Sequence, residues 1–181
     1  MATPGRVQPE RAVVNAACPP APAWIGLGAN LGDARAALQE AVRAINAVAR
    51  TQVLAVSSLY RSAPVDAGGP DYLNAVAWVR TRLLALELLH ALQAIETAAG
   101  RERPYRNAPR TLDLDLLLYG DERHATRELT LPHPRMQSRA FVLLPLAELA
   151  PRRVPPAALA AVAGQAIERL APAPQWLGVD A

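Results

Sequence analysis

The stretch Arg110-Thr-Leu-Asp-Leu-Asp-Leu-Leu-Leu-Tyr-Gly120 (RTLDLDLLLYG) sets the pattern of a buried β-strand against two carboxylates placed two residues apart. Side chains alternate faces along a strand, so Asp113 and Asp115 share one face while Leu112, Leu114, Leu116 and Leu118 are expected on the other. Twice the strand rise puts the two Cβ atoms roughly 6–7 Å apart. Unpaired charges held that close at the edge of an apolar sheet are costly, so a cation belongs between them. Arg101, Arg103, Arg106 and Arg110 lie just ahead of the pair. A polyanion together with a divalent metal satisfies both sets of charge, whereas a structural ion pair would need only one partner. The plainer alternative is that the two aspartates pair with these arginines on a solvated face.

Working outward from this strand, the apolar pattern becomes regular at Ala23. AWIGLG reads as a short strand, and Ala29 to Gly32 as a turn. Asp33 is the cap candidate for a helix carrying Leu38, Val42, Ile45 and Ala49 on one face. TQVLAVSSLY reads as a second strand, RSAPVDAGGPD as a loop, and YLNAVAWVRT as a third strand. LLALELLHALQAIETAAG reads as a helix with Leu88, Leu92, Ile95 and Ala99 inward, stopped by Gly100. The order β-α-β-β-α-β specifies an α+β, ferredoxin-like core: an antiparallel sheet with both helices on one face and the other face open. Beyond Asp121 the expectation is short strand-like pieces, then RAFVLLPLAELAP as a helical stretch interrupted by Pro145. A Pro/Ala-rich helix follows near Pro156 to Leu170.

At 181 residues the chain suits one domain with a sizeable core. Residues 1 to 22 read as a disordered Pro/Ala-rich tail and 23 to 181 as the single domain. The net charge of +3 is modest for a nucleic-acid binder, and all 19 basic residues are arginine, whose planar donor fork suits phosphate and carboxylate oxygens. One cysteine, Cys18, excludes an intrachain disulfide and fits a reducing, cytoplasmic setting. No run approaches the length that crosses a bilayer.

Gly26, Gly28 and Gly32 in GLGANLGD are spaced one residue too long for a dinucleotide fingerprint, and the motif reads instead as a strand running through a tight turn into a helix. No lysine exists to complete a Walker loop. Tyr72 and Asn74 flank Leu73, so ring and amide share a face, an arrangement suited to stacking and edge-reading of a flat heterocycle. In LPHPRMQSRAF, His133 between prolines reads first as a structural hydrogen-bonder. With Arg139 it could reach a polyphosphate if the segment at Thr130 returns beside the aspartate strand.

GLGANLGD, YRSAPV with PDYLNA, QAIETAAGRERPYRNAPRTLDLDLLLYG and LPHPRMQSRAFVLLPLAELAP, in this order and spacing, resemble the successive signatures of the 6-hydroxymethyl-7,8-dihydropterin pyrophosphokinase family from about Trp24 to Pro151. The resemblance implies a ferredoxin-like fold and transfer of the β,γ-pyrophosphoryl group of ATP to the pterin hydroxymethyl oxygen, with release of AMP, in folate biosynthesis. It implies that Asp113 and Asp115 hold two magnesium ions, and that Arg103 and Arg110 contact the polyphosphate with Arg101 aiding closure and release. Gln93, Glu96, Leu116, Thr130, His133 and Arg139 fall at nucleotide-site positions. Ser62, Ala63, Pro64, Val65, Tyr72, Asn74 and Phe141 fall at pterin-site positions, the pterin lying between the rings of Tyr72 and Phe141. Asn107, Ala63, Pro134 and Glu128 depart from the common pattern, where an aromatic residue, a proline, a tyrosine and an arginine stand. ATP and the pterin are the implied partners, neither nucleic acid nor a membrane, with the protein a monomer.

Two other classes fit parts of the pattern. An RNA-binding ferredoxin-like module would use the arginines and Tyr72, but two carboxylates on the sheet face would repel phosphates. A non-catalytic pterin-binding relative would have no use for the aspartate pair.

Overall fold

Strand β1 (Ala21–Ala29) is the centre of the molecule, because it pairs antiparallel with β4 (Tyr72–Thr81) on one side and β5 (Asp113–Tyr119) on the other. The computed structural model describes residues 19–64, 69–100 and 111–178. Between these strands run α1 (Ala34–Ala47), β2 (Thr51–Val56), β3 (Leu59–Ser62) and α2 (Ala85–Ala98). β2 and β3 pair with successive parts of β4, so they form one interrupted strand. The core is therefore the expected antiparallel βαββαβ arrangement. β1 takes in Ala21 and Pro22, which composition alone assigns to the tail.

Odd positions of β4 and the helices build one hydrophobic layer. Ile25, Leu27, Ala75, Ala77, Val79, Leu114 and Leu116 meet Leu38, Ala41 and Ile45 of α1 and Leu88 and Leu92 of α2. Leu88 and Leu92 are fully buried, and truncating either to alanine would cost about 2–5 kcal/mol. Asp33 caps α1 as expected, accepting from the Ala36 N–H at 3.0 Å. The helix ends at Ala47, so Ala49 lies outside it. Gly32 and Gly100 take positive φ values of 62° and 80° at the turn and the helix stop.

The opposite face is not open, contrary to the expectation from the core alone. α3 (Ala140–Leu149) lies across it, one continuous helix that contains Pro145 rather than breaking there. Trp24, Val76, Leu117, Leu143, Leu146 and Val162, the last from α4 (Pro156–Val162), form the second layer. The C-terminal segment is not one helix through Leu170. After α4, β8 (Ile167–Ala171) extends the sheet beyond β3, and α5 (Ala173–Leu177) buries Trp176, whose indole N–H donates to the Ser57 carbonyl at 3.0 Å. A short hairpin, β6 (His124–Ala125) with β7 (Thr130–Leu131), precedes α3.

Candidate active site

Asp113 and Asp115 share a face of β5 as the alternation requires, and Leu114 and Leu116 enter the helix-side core. The expected alternation fails at Leu118. The β1–β5 register shifts between Trp24 and Ile25, so Leu117 bulges and Leu118 turns to the aspartate face beside it. The bulge closes the site at one end: Leu117 covers Gly26, and its carbonyl accepts the His133 N–H at 2.9 Å.

Gly26 and Gly28 lie within β1, as the strand reading of AWIGLG expects, and Gly32 lies in the turn that follows. Gly28 stands opposite Asn74 on β4 and Asp113 on β5, and Gly26 stands opposite Asp115. A Cβ on Gly28 would sit 3.6 Å from the Asn74 amide oxygen and 3.9 Å from the Asp113 Cβ. The absence of side chains on β1 thus leaves a trough between an amide on one strand and two carboxylates on another. Sequence reasoning missed this floor, although its signal was present in glycines spaced two apart, the period of the aspartates.

Along the β4 bank, Asn74 is buried, and its amide donates to Ser62 Oγ at 3.0 Å and, more weakly, to the Tyr72 carbonyl at 3.4 Å. Those donor contacts fix the amide orientation. Tyr72 is opposite Ser62 on the same face. Phe141, at the start of α3, packs against the second layer on this side of the sheet, and the Arg139 guanidinium stands 5.2 Å over its ring. Ala63 is exposed and Pro64 half-buried beyond β3.

Electrostatics concentrate on Asp115. Burial pushes its carboxyl above the usual carboxylate range, Asp113 pushes it further, and His133, Arg139 and Arg135 pull it back. His133 Nε2 is 3.9 Å from Asp115 Oδ1. Burial lowers the imidazole below its ordinary value, opposed first by Asp115 and assisted by Arg135 and Arg139. The Arg135 N–H points at His133 Nδ1 at 3.4 Å, which leaves the ring proton on Nε2, facing the carboxylate. Arg135, which the sequence reading noted in LPHPRMQSRAF without giving it a role, is thus a further cation at the site.

Glu96 is 1 % exposed, and its Oε1 accepts the N–H of Leu114, the residue between the two aspartates, at 2.8 Å. In this structure it holds β5 in place from α2. Gln93 is exposed on α2, Leu116 is buried in the helix-side core, and Thr130 is exposed on β7. Glu128 pairs with His90 at 2.6 Å, tying the hairpin to α2. Val65, Arg101, Arg103, Asn107 and Arg110 lie outside the described residues.

Among the described residues no group of three or more His, Cys, Asp or Glu is assembled to hold a metal alone. Two hard oxygen donors side by side on one strand face nonetheless fit magnesium, which keeps waters and takes the rest of its shell from substrate phosphates.

A family profile described as 7,8-dihydro-6-hydroxymethylpterin-pyrophosphokinase (HPPK) matches residues 24–151. The chain is 47% identical over 154 residues to 2-amino-4-hydroxy-6-hydroxymethyldihydropteridine pyrophosphokinase of Pseudomonas aeruginosa, covering 81% of this chain and 95% of that protein. It is 44% identical over 128 residues to the Bacillus subtilis protein of the same name, covering 70% and 77%. In structure, a Plasmodium falciparum HPPK-DHPS chain superposes with a TM-score of 0.54 at 14% identity, covering 72% of this chain but only 38% of that one, a likeness of fold. The aspartate strand, the glycine floor and the Tyr72–Asn74 bank all fall inside the matched span, and the chain belongs to the 7,8-dihydro-6-hydroxymethylpterin-pyrophosphokinase family.

Proposed function

We propose that this protein transfers the pyrophosphoryl group of ATP to 6-hydroxymethyl-7,8-dihydropterin, giving AMP and the pterin diphosphate, a step of folate biosynthesis. The observation that carries the reading is the row Asn74, Gly28, Asp113 across three adjacent strands. It sets a heterocycle-reading amide and an oxygen-donor pair on either side of a floor without side chains.

The pterin lies over Gly28 between Tyr72 and Phe141, with Asn74 and the segment Ser62, Ala63, Pro64 and Val65 reading its edge. Asn74 is pre-oriented by Ser62, so little ordering is left to be done on binding. The pterin hydroxymethyl oxygen attacks the β-phosphorus, the bond from that phosphorus to the α,β-bridging oxygen breaks, AMP leaves, and the hydroxyl proton goes to water. Asp113 and Asp115 would hold two magnesium ions, which supply charge neutralisation on the phosphates. His133, with its proton on Nε2, Arg139 and Thr130 border the polyphosphate. Arg101, Arg103 and Arg110 serve it from the preceding segment, and Gln93, Glu96 and Leu116 set the nucleotide side of β5. The task of the protein is alignment and electrostatics, with no covalent enzyme intermediate.

In this reading the working unit is a monomer, which light scattering under assay conditions tests. No described helix is long and apolar enough to cross a membrane. Incubation with ATP, magnesium and the pterin, followed by assay for AMP and the pterin diphosphate, tests the activity. Release of ADP, or of AMP without pterin diphosphate, overturns it.

A further inference from the structure

At the opposite end of the sheet a second cleft of about 250 Å³ is lined by Pro20, Arg50, Thr51, Gln52, Arg80, Thr81 and Arg82. We infer that it binds a compact phosphate-class oxyanion, inorganic phosphate or pyrophosphate, at a site separate from the reaction trough. Along β1, Arg80 pairs with Pro22 and Asn74 with Gly28, six residues apart, which puts about 20 Å of strand between the two places.

An arginine count by itself means little in a chain whose basic residues are all arginine. The placement carries the inference. Among the described residues no carboxylate lines the cleft. Glu87 stands 3.9 Å from Arg50 with both side chains about half exposed, and its Oε2 already accepts the Leu84 N–H at 2.8 Å. Arg80 donates to Gln52 Oε1 at 2.8 Å, an anchor that orients the guanidinium and leaves the rest of its donor fork for a ligand.

The strands that carry these arginines are held firmly, and one backbone feature points the same way. The Thr51 and Thr81 hydroxyls lie 2.7 Å apart on the helix-side face and share one hydrogen bond, which braces β2 against β4 at the end of the sheet that carries the cleft. Thr81 Oγ1 also accepts the Leu83 N–H at 3.1 Å, which holds the pair in place. Arg50, moreover, has φ of 63°, and among the described residues it is the one non-glycine with positive φ. A residue with a Cβ pays about 1–2 kcal/mol there, which glycine avoids, so the position carries a guanidinium against its backbone preference. Its carbonyl accepts the Arg82 N–H at 2.9 Å, clamping the two walls together. Among the described residues no aromatic ring lines the cleft for a base to stack on, which favours a free oxyanion over a nucleotide.

The test is a titration of the whole protein with phosphate, then pyrophosphate, followed by amide NMR in magnesium-free buffer at constant ionic strength. Saturable shifts are expected at Thr51, Gln52 and Arg82, with half-saturation at about 1 mM or below. Arg80→Gln and Arg50→Gly, the latter keeping the backbone turn, should each weaken binding by about tenfold or more. Both should leave pyrophosphoryl transfer unchanged, which also shows that the variants fold. Arg110→Gln and Asp113→Asn should leave the Thr51 and Arg82 shifts intact. Shifts confined to Asp113–Leu117, shifts that rise linearly with concentration, or shifts that survive Arg50→Gly and Arg80→Gln would each overturn the proposal.

Discussion

His133 Nε2 stands 3.9 Å from Asp115 Oδ1, and burial drives the two groups toward neutrality from opposite directions, the carboxyl upward and the imidazole downward. Even with Arg135 and Arg139 close by, Asp115 is therefore under electrostatic load. The aspartates occupy one face of a strand whose other face is fully committed to the core, so neither can move to relieve it. Such a load is what a binding site for a highly charged substrate has to keep in its empty state.

Asp115→Asn should therefore stabilise the metal-free protein at neutral pH. A carboxyl whose folded-state value is raised contributes stability that is complete below its unfolded value and lost as pH rises through the folded one. At pH 7 the ionised side chain is a burden, and the amide removes it. A gain of up to about 1 kcal/mol is expected, the scale of a like-charge pair on a sheet face, or about 2–4 °C in Tm for a chain of this size. Turnover should fall by orders of magnitude in the same variant. A melting temperature equal to or below that of the unaltered protein would show that the pair carries no such load.

Asp113→Ala and Asn74→Ala should separate chemistry from recognition. On the proposed roles the first removes an oxygen donor beside the phosphates and should cut kcat by orders of magnitude with little change in pterin affinity. The second removes the amide that Ser62 orients and should act mainly on pterin binding. Pterin titration by fluorescence, with steady-state kinetics, distinguishes them. Parallel losses of affinity and turnover in both, with native circular dichroism, would contradict the assigned roles.

Most of this site was legible in the sequence because strand alternation is a local rule. The shared face of Asp113 and Asp115, that of Tyr72 and Asn74, and the core order of strands and helices all follow from periods of two and 3.6. What escaped was long-range. The Leu117 bulge exists because β1 and β5 change register, which no single strand reveals. The cover on the second face comes from α3, whose Pro145 reads locally as a break although packing against Val76, Trp24 and Leu117 holds the helix through it. β8 is similar: Ile167–Ala171 has no strong alternation and becomes a strand because β3 offers an edge.

Gly28→Ala should cost function without costing the fold. The added methyl meets its neighbours at 3.6 and 3.9 Å, ordinary contact distances. Alanine in place of a strand glycine should leave stability unchanged or raise it by about 0.5–1 kcal/mol. On the proposed placement of the pterin the same methyl rises from the trough floor beneath it, so KM for the pterin should increase severalfold. An unchanged KM in a normally folded variant would mean that the substrate does not rest on this floor.

Tyr60→Phe should mark the junction that positions the β4 bank, with a pH signature of its own. Glu148 of α3 accepts from both the Ser58 N–H at 2.8 Å and the Tyr60 hydroxyl, at the break between β2 and β3, and Arg169 of β8 stands 3.3 Å from the same carboxylate. Burial, the bond to Glu148 and the charge of Glu148 all push the phenol well above its usual value near 10. The sign follows: the stability this group contributes is fully present below pH 10 and is lost as the unfolded tyrosine begins to ionise while the folded one does not. At pH 8 the phenylalanine variant should therefore be less stable by about 1.5–3 kcal/mol, the worth of a hydrogen bond to a charged group. Above pH 10 that gap should narrow, because the unaltered protein loses stability through this titration and the variant has no phenol at this position to lose it with. Urea midpoints measured at both pH values provide the comparison, and a gap constant with pH would mean that Tyr60 is not held by Glu148 in solution.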